Sequence, residues 1–172
     1  LEAVLADGTV ISSMNRMIKN NAAYDLKHLF IGSEGTLGII TRLVLRLREA
    51  PRSTQTALVA CTEFADVTRL LKHMDAALGG ALSAFEVMWN DFYRLVTTPP
   101  AKGTPPLGQD HPYYVLLESA GGDEVRDQAQ FEAALGEAID AGLVADAAIA
   151  SSEAQREALW GLRDDVESVF RL

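Results

Sequence analysis

The stretch Leu29-Phe30-Ile31-Gly32-Ser33-Glu34-Gly35-Thr36-Leu37-Gly38-Ile39-Ile40-Thr41 sets three glycines at a spacing of three between an apolar run and β-branched residues. Such a pattern describes backbone that turns tightly and lets something approach closely. Amides freed of side-chain bulk can reach the ribose or pyrophosphate of a dinucleotide. Glu34 would repel a pyrophosphate, so its carboxylate is expected to bond loop amides instead. On spacing alone, a glycine-rich strand connection without any ligand fits equally well.

The flanks make the glycine loop a connection between strands. Upstream, Leu1 to Ala6 and Thr9 to Ile11 surround Asp7-Gly8, a dipeptide suited to a two-residue hairpin turn. Downstream, Leu43, Leu45 and Leu47 alternate with Arg42, Arg46 and Arg48. That period of two predicts a strand with one buried face.

Composition limits the function classes. With 172 residues, 48% of them hydrophobic, the chain can bury one good core or two small ones. A net charge of −9 opposes binding to nucleic acid or to acidic membrane surfaces. The single Cys61 lies in an apolar run and is expected as a buried, inert thiol without an internal disulfide. No apolar stretch approaches the roughly 20 residues that cross a bilayer, and the start does not read as a signal peptide. A reducing, cytoplasmic setting is therefore expected. His28, His73 and His111 are scattered without metal-ligand spacing and read as surface or packing residues.

A second module is expected after Pro51. Thr54 to Cys61 reads as a strand, and Thr62 caps a helix with the stripe Phe64, Val67, Leu71, Met74 and Leu78, closed by Gly79-Gly80. Ala81 to Met88 fits either a strand or a helix, and the reading adopted is a strand leading into a helix from about Trp89 to Val96. The prolines and glycines between Pro99 and Pro112 predict a long, mobile surface loop. Tyr113 to Glu118 is a strand, Asp123 to Ala141 a helix with Phe131, Leu135, Ala138 and Ile139 on one side, and Leu143 to Ile149 a strand. Ser151 or Ser152 opens a last helix whose buried face, Leu159, Leu162, Val166, Val169 and Phe170, runs to Leu172. This β-α-β-(α)-loop-β-α-β-α order suits an α+β fold with an antiparallel sheet covered on one face by helices, close to a ferredoxin-like arrangement.

Residues 1 to 47, with Lys19-Asn20-Asn21-Ala22-Ala23-Tyr24-Asp25-Leu26-Lys27-His28 leading into the glycine loop, resemble the end of the FAD-binding domain of flavoenzymes related to vanillyl-alcohol oxidase and p-cresol methylhydroxylase. Within that group the chain is most similar to FAD-dependent D-2-hydroxyacid dehydrogenases. The resemblance implies FAD contact through Gly32, Ser33, Glu34, Gly35, Gly38 and Ile39. It implies that residues 1–51 are the C-terminal part of the FAD-binding domain and residues 52–172 the N-terminal part of a substrate-binding cap. Both ends then look cut. The upstream pyrophosphate loop and a downstream His-rich segment, with the general base and in some members a divalent metal, would lie outside the chain. No catalytic or metal-binding residue is expected within it, and alone it is expected to be inactive.

One cap residue carries chemistry in this resemblance. Arg163, in Trp160-Gly161-Leu162-Arg163-Asp164, is similar to a Trp-x-x-Arg-acidic pattern whose Arg approaches the substrate carboxylate. A guanidinium fork there would orient the α-hydrogen of a 2-hydroxy acid toward the flavin. Read without the resemblance, Arg163 is a surface helix charge paired with Glu167 or Asp164. The carboxylates Asp164, Asp165 and Glu167 read as a solvated face, and the aromatics of Phe85 to Tyr93 as core or hinge packing. The implied partners are a small 2-hydroxy acid of the hydroxyglutarate, lactate or glycolate type and a protein or quinone electron acceptor, with a homodimer left open. Two other readings stand beside this one: a related flavin oxidase acting on alcohols or lipid precursors, and a non-catalytic α+β binding module.

Overall fold

A computed structural model describes residues 1–171 and divides the chain into two compact units, Leu1–Glu49 and Ala50–Leu172. The last residue of the expected terminal helix, Leu172, lies outside the described residues. Among those residues no helix is long and apolar enough to cross a membrane.

The first unit holds a three-stranded antiparallel sheet, β1 (Glu2–Val4), β2 (Val10–Ser12) and β3 (Ile39–Arg42), in the order β2-β1-β3, with a short helix α1 (Lys27–Phe30). The hairpin forms at Asp7-Gly8, but its loop has three residues. Leu5 N–H donates to Thr9 O at 2.9 Å and Gly8 N–H to Leu5 O at 3.0 Å, with Gly8 at φ +85°. A type I turn followed by a left-handed residue gives this geometry, and glycine enters that region without a Cβ clash. The strand expected over Leu43 to Leu47 does not form. β3 ends at Arg42 opposite Glu2, where its partner strand begins, and Leu43, Leu45 and Leu47 are exposed. Alternation without a pairing partner leaves the backbone donors and acceptors to solvent. The small core is Leu1, Ala3 and Phe30.

The second unit is built on a four-stranded antiparallel sheet of β4 (Ser53–Cys61), β5 (Leu82–Trp89), β6 (Tyr113–Gly121) and β7 (Asp146–Ile149), in the order β5-β6-β4-β7. Helix α2 (Phe64–Ala77) joins β4 to β5 around β6, and α4 (Glu124–Asp140) joins β6 to β7 around β4. Two interlocked split βαβ units are the ferredoxin-like arrangement, so the α+β expectation stands.

Helices cover both faces of that sheet, however, rather than one. Ala57, Val59, Cys61, Val115 and Leu117 pack with α2 and α4, through Leu70, Met74, Phe131 and Leu135. Leu58, Ala60, Tyr114 and Leu116 pack on the other face with α3 (Asn90–Thr97) and α5 (Glu153–Asp164), through Tyr93, Val96, Leu159 and Leu162. The central strands are therefore apolar in an unbroken run, Ala57 to Cys61, because neither side meets water. Each large aliphatic or aromatic side chain buried here stabilises the fold by about 1.5–3 kcal/mol.

Several helix details differ from expectation. The buried stripe of α2 is Val67, Leu70, Met74 and Leu78, while Leu71 and Phe64 are exposed; Glu63, not Thr62, is the N-cap residue. Phe64 instead joins an aromatic group with Trp89 and Tyr113, at centroid distances of 6.4 and 5.7 Å. Ile139 is also exposed. Ser152 is the N-cap of α5, its hydroxyl accepting from Gln155 N–H at 3.3 Å. That helix stops at Asp164, and Val166–Arg171 form a 3-10 turn in which Val166, Val169 and Phe170 are exposed. The break falls at Asp165, whose ψ of 55° departs from the helix.

The segment from Thr98 to Pro112, expected as a mobile loop, is tied down at several points. Leu107 is buried and exchanges two hydrogen bonds with the Tyr93 hydroxyl, at 3.1 and 3.2 Å. Asn90 Nδ2 donates to the carbonyls of Gln109 and His111 at 2.8 and 2.6 Å. The rings of Tyr93 and Tyr114 stack beneath it with centroids 3.7 Å apart.

Candidate functional site

The glycine loop begins where α1 runs out at Phe30. Ser33 N–H donates to Phe30 O at 3.2 Å and Thr36 N–H to Ser33 O at 3.0 Å, so the loop is two consecutive turns. The hydroxyls of Ser33 and Thr36 donate to the same two carbonyls, at 2.9 and 2.6 Å. Gly32 and Gly35 take φ of +81° and +80°. Glu34 takes φ +51° and is the one non-glycine residue in that region among those described. Its carboxylate is exposed and makes no hydrogen bond among the described residues, so the expected bond to loop amides is absent. A left-handed backbone costs about 1–2 kcal/mol for a residue with a Cβ.

The close approach that the glycine spacing predicted occurs at Gly38, and the approaching group is the protein itself. A Cβ there would sit 2.8 Å from Val4 O and 3.3 Å from Phe30 Cε1. Gly38 thus lets the loop lie against β1, which leaves Gly32, Glu34 and Gly35 on the exposed side with Ile39, 64% exposed. The amides of Glu34 and Gly35 have no partner among the described residues. Unpaired N–H groups beside an apolar side chain are donors of the kind that the polar oxygens of a dinucleotide can accept from, so nothing in the loop backbone opposes such a group.

In the second unit, α5 lies over the sheet face that carries Thr56, Glu118 and Glu86. Trp160 Nε1 donates to Glu118 Oε2 at 2.7 Å, and Thr56 Oγ1 donates to the same oxygen at 3.1 Å. One turn further on, Arg163 Nε donates to Glu86 Oε2 at 3.1 Å and Nη1 to Asp164 Oδ1 at 3.0 Å. The Arg163 side chain is 42% exposed. Hydrogen bonds to Asp164 and then Glu86 raise its pKa above the ordinary arginine value, so it is a fixed cation. Of the two pairings expected for Arg163 on its own helix, Asp164 is present. Glu86, from a strand 77 residues away, is the partner that helical spacing could not name. Glu118 was equally hidden, since a glutamate near the end of a strand reads as an outward-facing charge.

His28 is exposed, and the His111 ring lies edge-on to Tyr114 with centroids 6.1 Å apart. His73 Nε2 lies 2.8 Å from Ala134 O, and no group of three His, Cys, Asp or Glu suited to a metal exists among the described residues. Cys61 is buried, and burial pushes its thiol up to about 11.

Comparison with known proteins places the chain in a family. The chain is 40% identical over 166 residues to the D-2-hydroxyglutarate dehydrogenase, mitochondrial, of Bos taurus, covering 96% of this chain and 30% of that protein. It is 37% identical over 171 residues to the protein of that name in Arabidopsis thaliana, covering 99% of this chain and 31% of that one. To the D-2-hydroxyglutarate dehydrogenase of Xanthomonas citri pv. viticola it is 36% identical over 166 residues, or 96% and 34%. The chain thus spans about a third of the length of these relatives. Residues 50–169, most of the ferredoxin-like unit with both helical layers, match the family described as FAD linked oxidases, C-terminal domain, and the chain belongs to that family.

Proposed function

We propose that residues 1–172 are part of an FAD-dependent enzyme that oxidises a D-2-hydroxy acid of the hydroxyglutarate, lactate or glycolate type. One observation carries this reading: identity to the Arabidopsis dehydrogenase runs through 171 residues, across both units. In it, residues 1–51 end the FAD-binding domain and residues 52–172 begin the cap. Gly32, Ser33, Glu34, Gly35, Gly38 and Ile39 hold part of the cofactor, with backbone amides as donors. FAD, when bound, supplies the acceptor for the hydride of the substrate carbon. Arg163 binds the substrate carboxylate and fixes the orientation of the α-carbon, which a bidentate guanidinium does better than a point charge.

The general base that takes the hydroxyl proton, and any divalent metal, belong to residues outside this chain. A protein or quinone accepts the electrons, and a cytoplasmic location completes the reading, with a homodimer left open; the name of the Bos taurus relative gives a mitochondrial location. The test is Arg163→Ala in the complete FAD-loaded polypeptide with D-2-hydroxyglutarate. Loss of a charge-assisted fork is expected to raise KM or lower kcat about a hundredfold. Wild-type kinetics would remove Arg163 from the site, and flavin bleaching by alcohols but by no hydroxy acid would replace the substrate class.

A further inference from the structure

The two carboxylates on Arg163 are held very differently. Glu86 lies within the eight-residue strand β5, paired along its length to β6, and its side chain is 37% exposed. Asp164 is the last residue of α5 and its side chain is 60% exposed. They also occupy different parts of the guanidinium: Glu86 takes Nε, and Asp164 takes Nη1. A planar guanidinium fixed at Nε keeps its two Nη nitrogens as the fork that matches a carboxylate. The cluster of one arginine and two carboxylates carries one excess negative charge, so an incoming anion is favoured only if one resident carboxylate leaves. An exposed ion pair between neighbours on a helix end contributes little and breaks readily.

We propose that Glu86 is a positioning residue, holding Arg163 by Nε so that its Nη edge faces the carboxylate of the substrate, and that Asp164 is the occupant which gives way. The role rests on Arg163 binding the carboxylate, as proposed above. Strand β5 is the fixed point because its ladder to β6 prevents Glu86 from following the arginine. Asp164 can swing into water by side-chain rotation alone. Removing Glu86 therefore weakens substrate binding, whereas removing the charge of Asp164 does not.

The experiment uses the complete FAD-loaded polypeptide, with KM and kcat for D-2-hydroxyglutarate and, independently of turnover, the Kd of 2-oxoglutarate by calorimetry. Glu86→Ala is expected to raise KM and Kd about tenfold, the scale of one charge-assisted hydrogen bond. Glu86→Gln keeps the side-chain size and gives the same direction should the alanine variant fail to fold. Asp164→Asn is expected to lower both constants or leave them unchanged. The double variant Glu86→Ala with Arg163→Ala is expected to bind no more weakly than Arg163→Ala, since Glu86 acts through the arginine. Constants within twofold of wild type in both Glu86 variants, beside a strong Arg163→Ala effect, would overturn the positioning role and leave Arg163 in place. A double variant much weaker than Arg163→Ala, or an Asp164→Asn as weak as Glu86→Ala, would overturn it too. An unchanged Arg163→Ala would show instead that the underlying reading has failed.

Discussion

Trp160 Nε1 and Glu118 Oε2 meet at 2.7 Å, joining helix α5 to strand β6 across 42 residues of sequence. The same carboxylate oxygen also accepts from Thr56 on β4, so a single glutamate links the helix to two strands. Trp160→Phe keeps an aromatic ring and removes the donor. The loss expected is about 1–2 kcal/mol, because the half-buried carboxylate gives up a charge-assisted bond. It should be read as a lower urea midpoint at constant slope; an unchanged midpoint would mean the contact adds nothing net.

Gly35 and Gly38 separate backbone strain from packing. Gly35→Ala meets only Ile39 Cδ1, at an ordinary contact distance of 4.0 Å, but must hold φ near +80°, a penalty of about 1–2 kcal/mol. Gly38→Ala drives a Cβ into Val4 O at 2.8 Å and so must move the loop away from β1. In the complete polypeptide, FAD retained per chain after gel filtration should fall more in the Gly38 variant than in the Gly35 variant. Equal retention would detach the packing of this loop from cofactor binding.

Cys61 gives a pH dependence of known sign. The thiol is pushed up to about 11 in the folded chain, above the value of about 8.5 for an exposed cysteine. Between those values the unfolded chain has lost the proton and the folded chain still holds it. Stability is therefore unaffected below about pH 8.5 and falls as pH rises toward 11. Denaturant midpoints measured across that range should decline more in the wild type than in Cys61→Ala. Parallel curves would show that the thiol does not contribute.

The order of strands and helices in the second unit was legible because each element keeps its own period over a long run. The two-sided cover of the sheet was legible only in hindsight: Ala57 to Cys61 has no polar alternation, which signals burial on both faces. Leu70 and Leu71 are adjacent and equally apolar, and tertiary packing chose between them. The strand expected from Leu43 to Leu47 failed because alternation describes a face, not a partner. At the candidate site, Arg163 could be singled out by its neighbours in sequence. Glu86 and Glu118 could not, since their meaning comes from pairing β5 with β6 and laying α5 across them.

That two-point attachment restrains a degree of freedom which hydrophobic packing leaves soft. A helix resting on a sheet through Leu159 and Leu162 alone can roll about its long axis with little loss of apolar contact. Carboxylates from two neighbouring strands, gripping side chains one turn apart, oppose that roll in the manner of two pins through a hinge plate. The angular setting of the Arg163 guanidinium is then inherited from the spacing of β5 and β6, and a change in that spacing would re-aim the arginine without touching it.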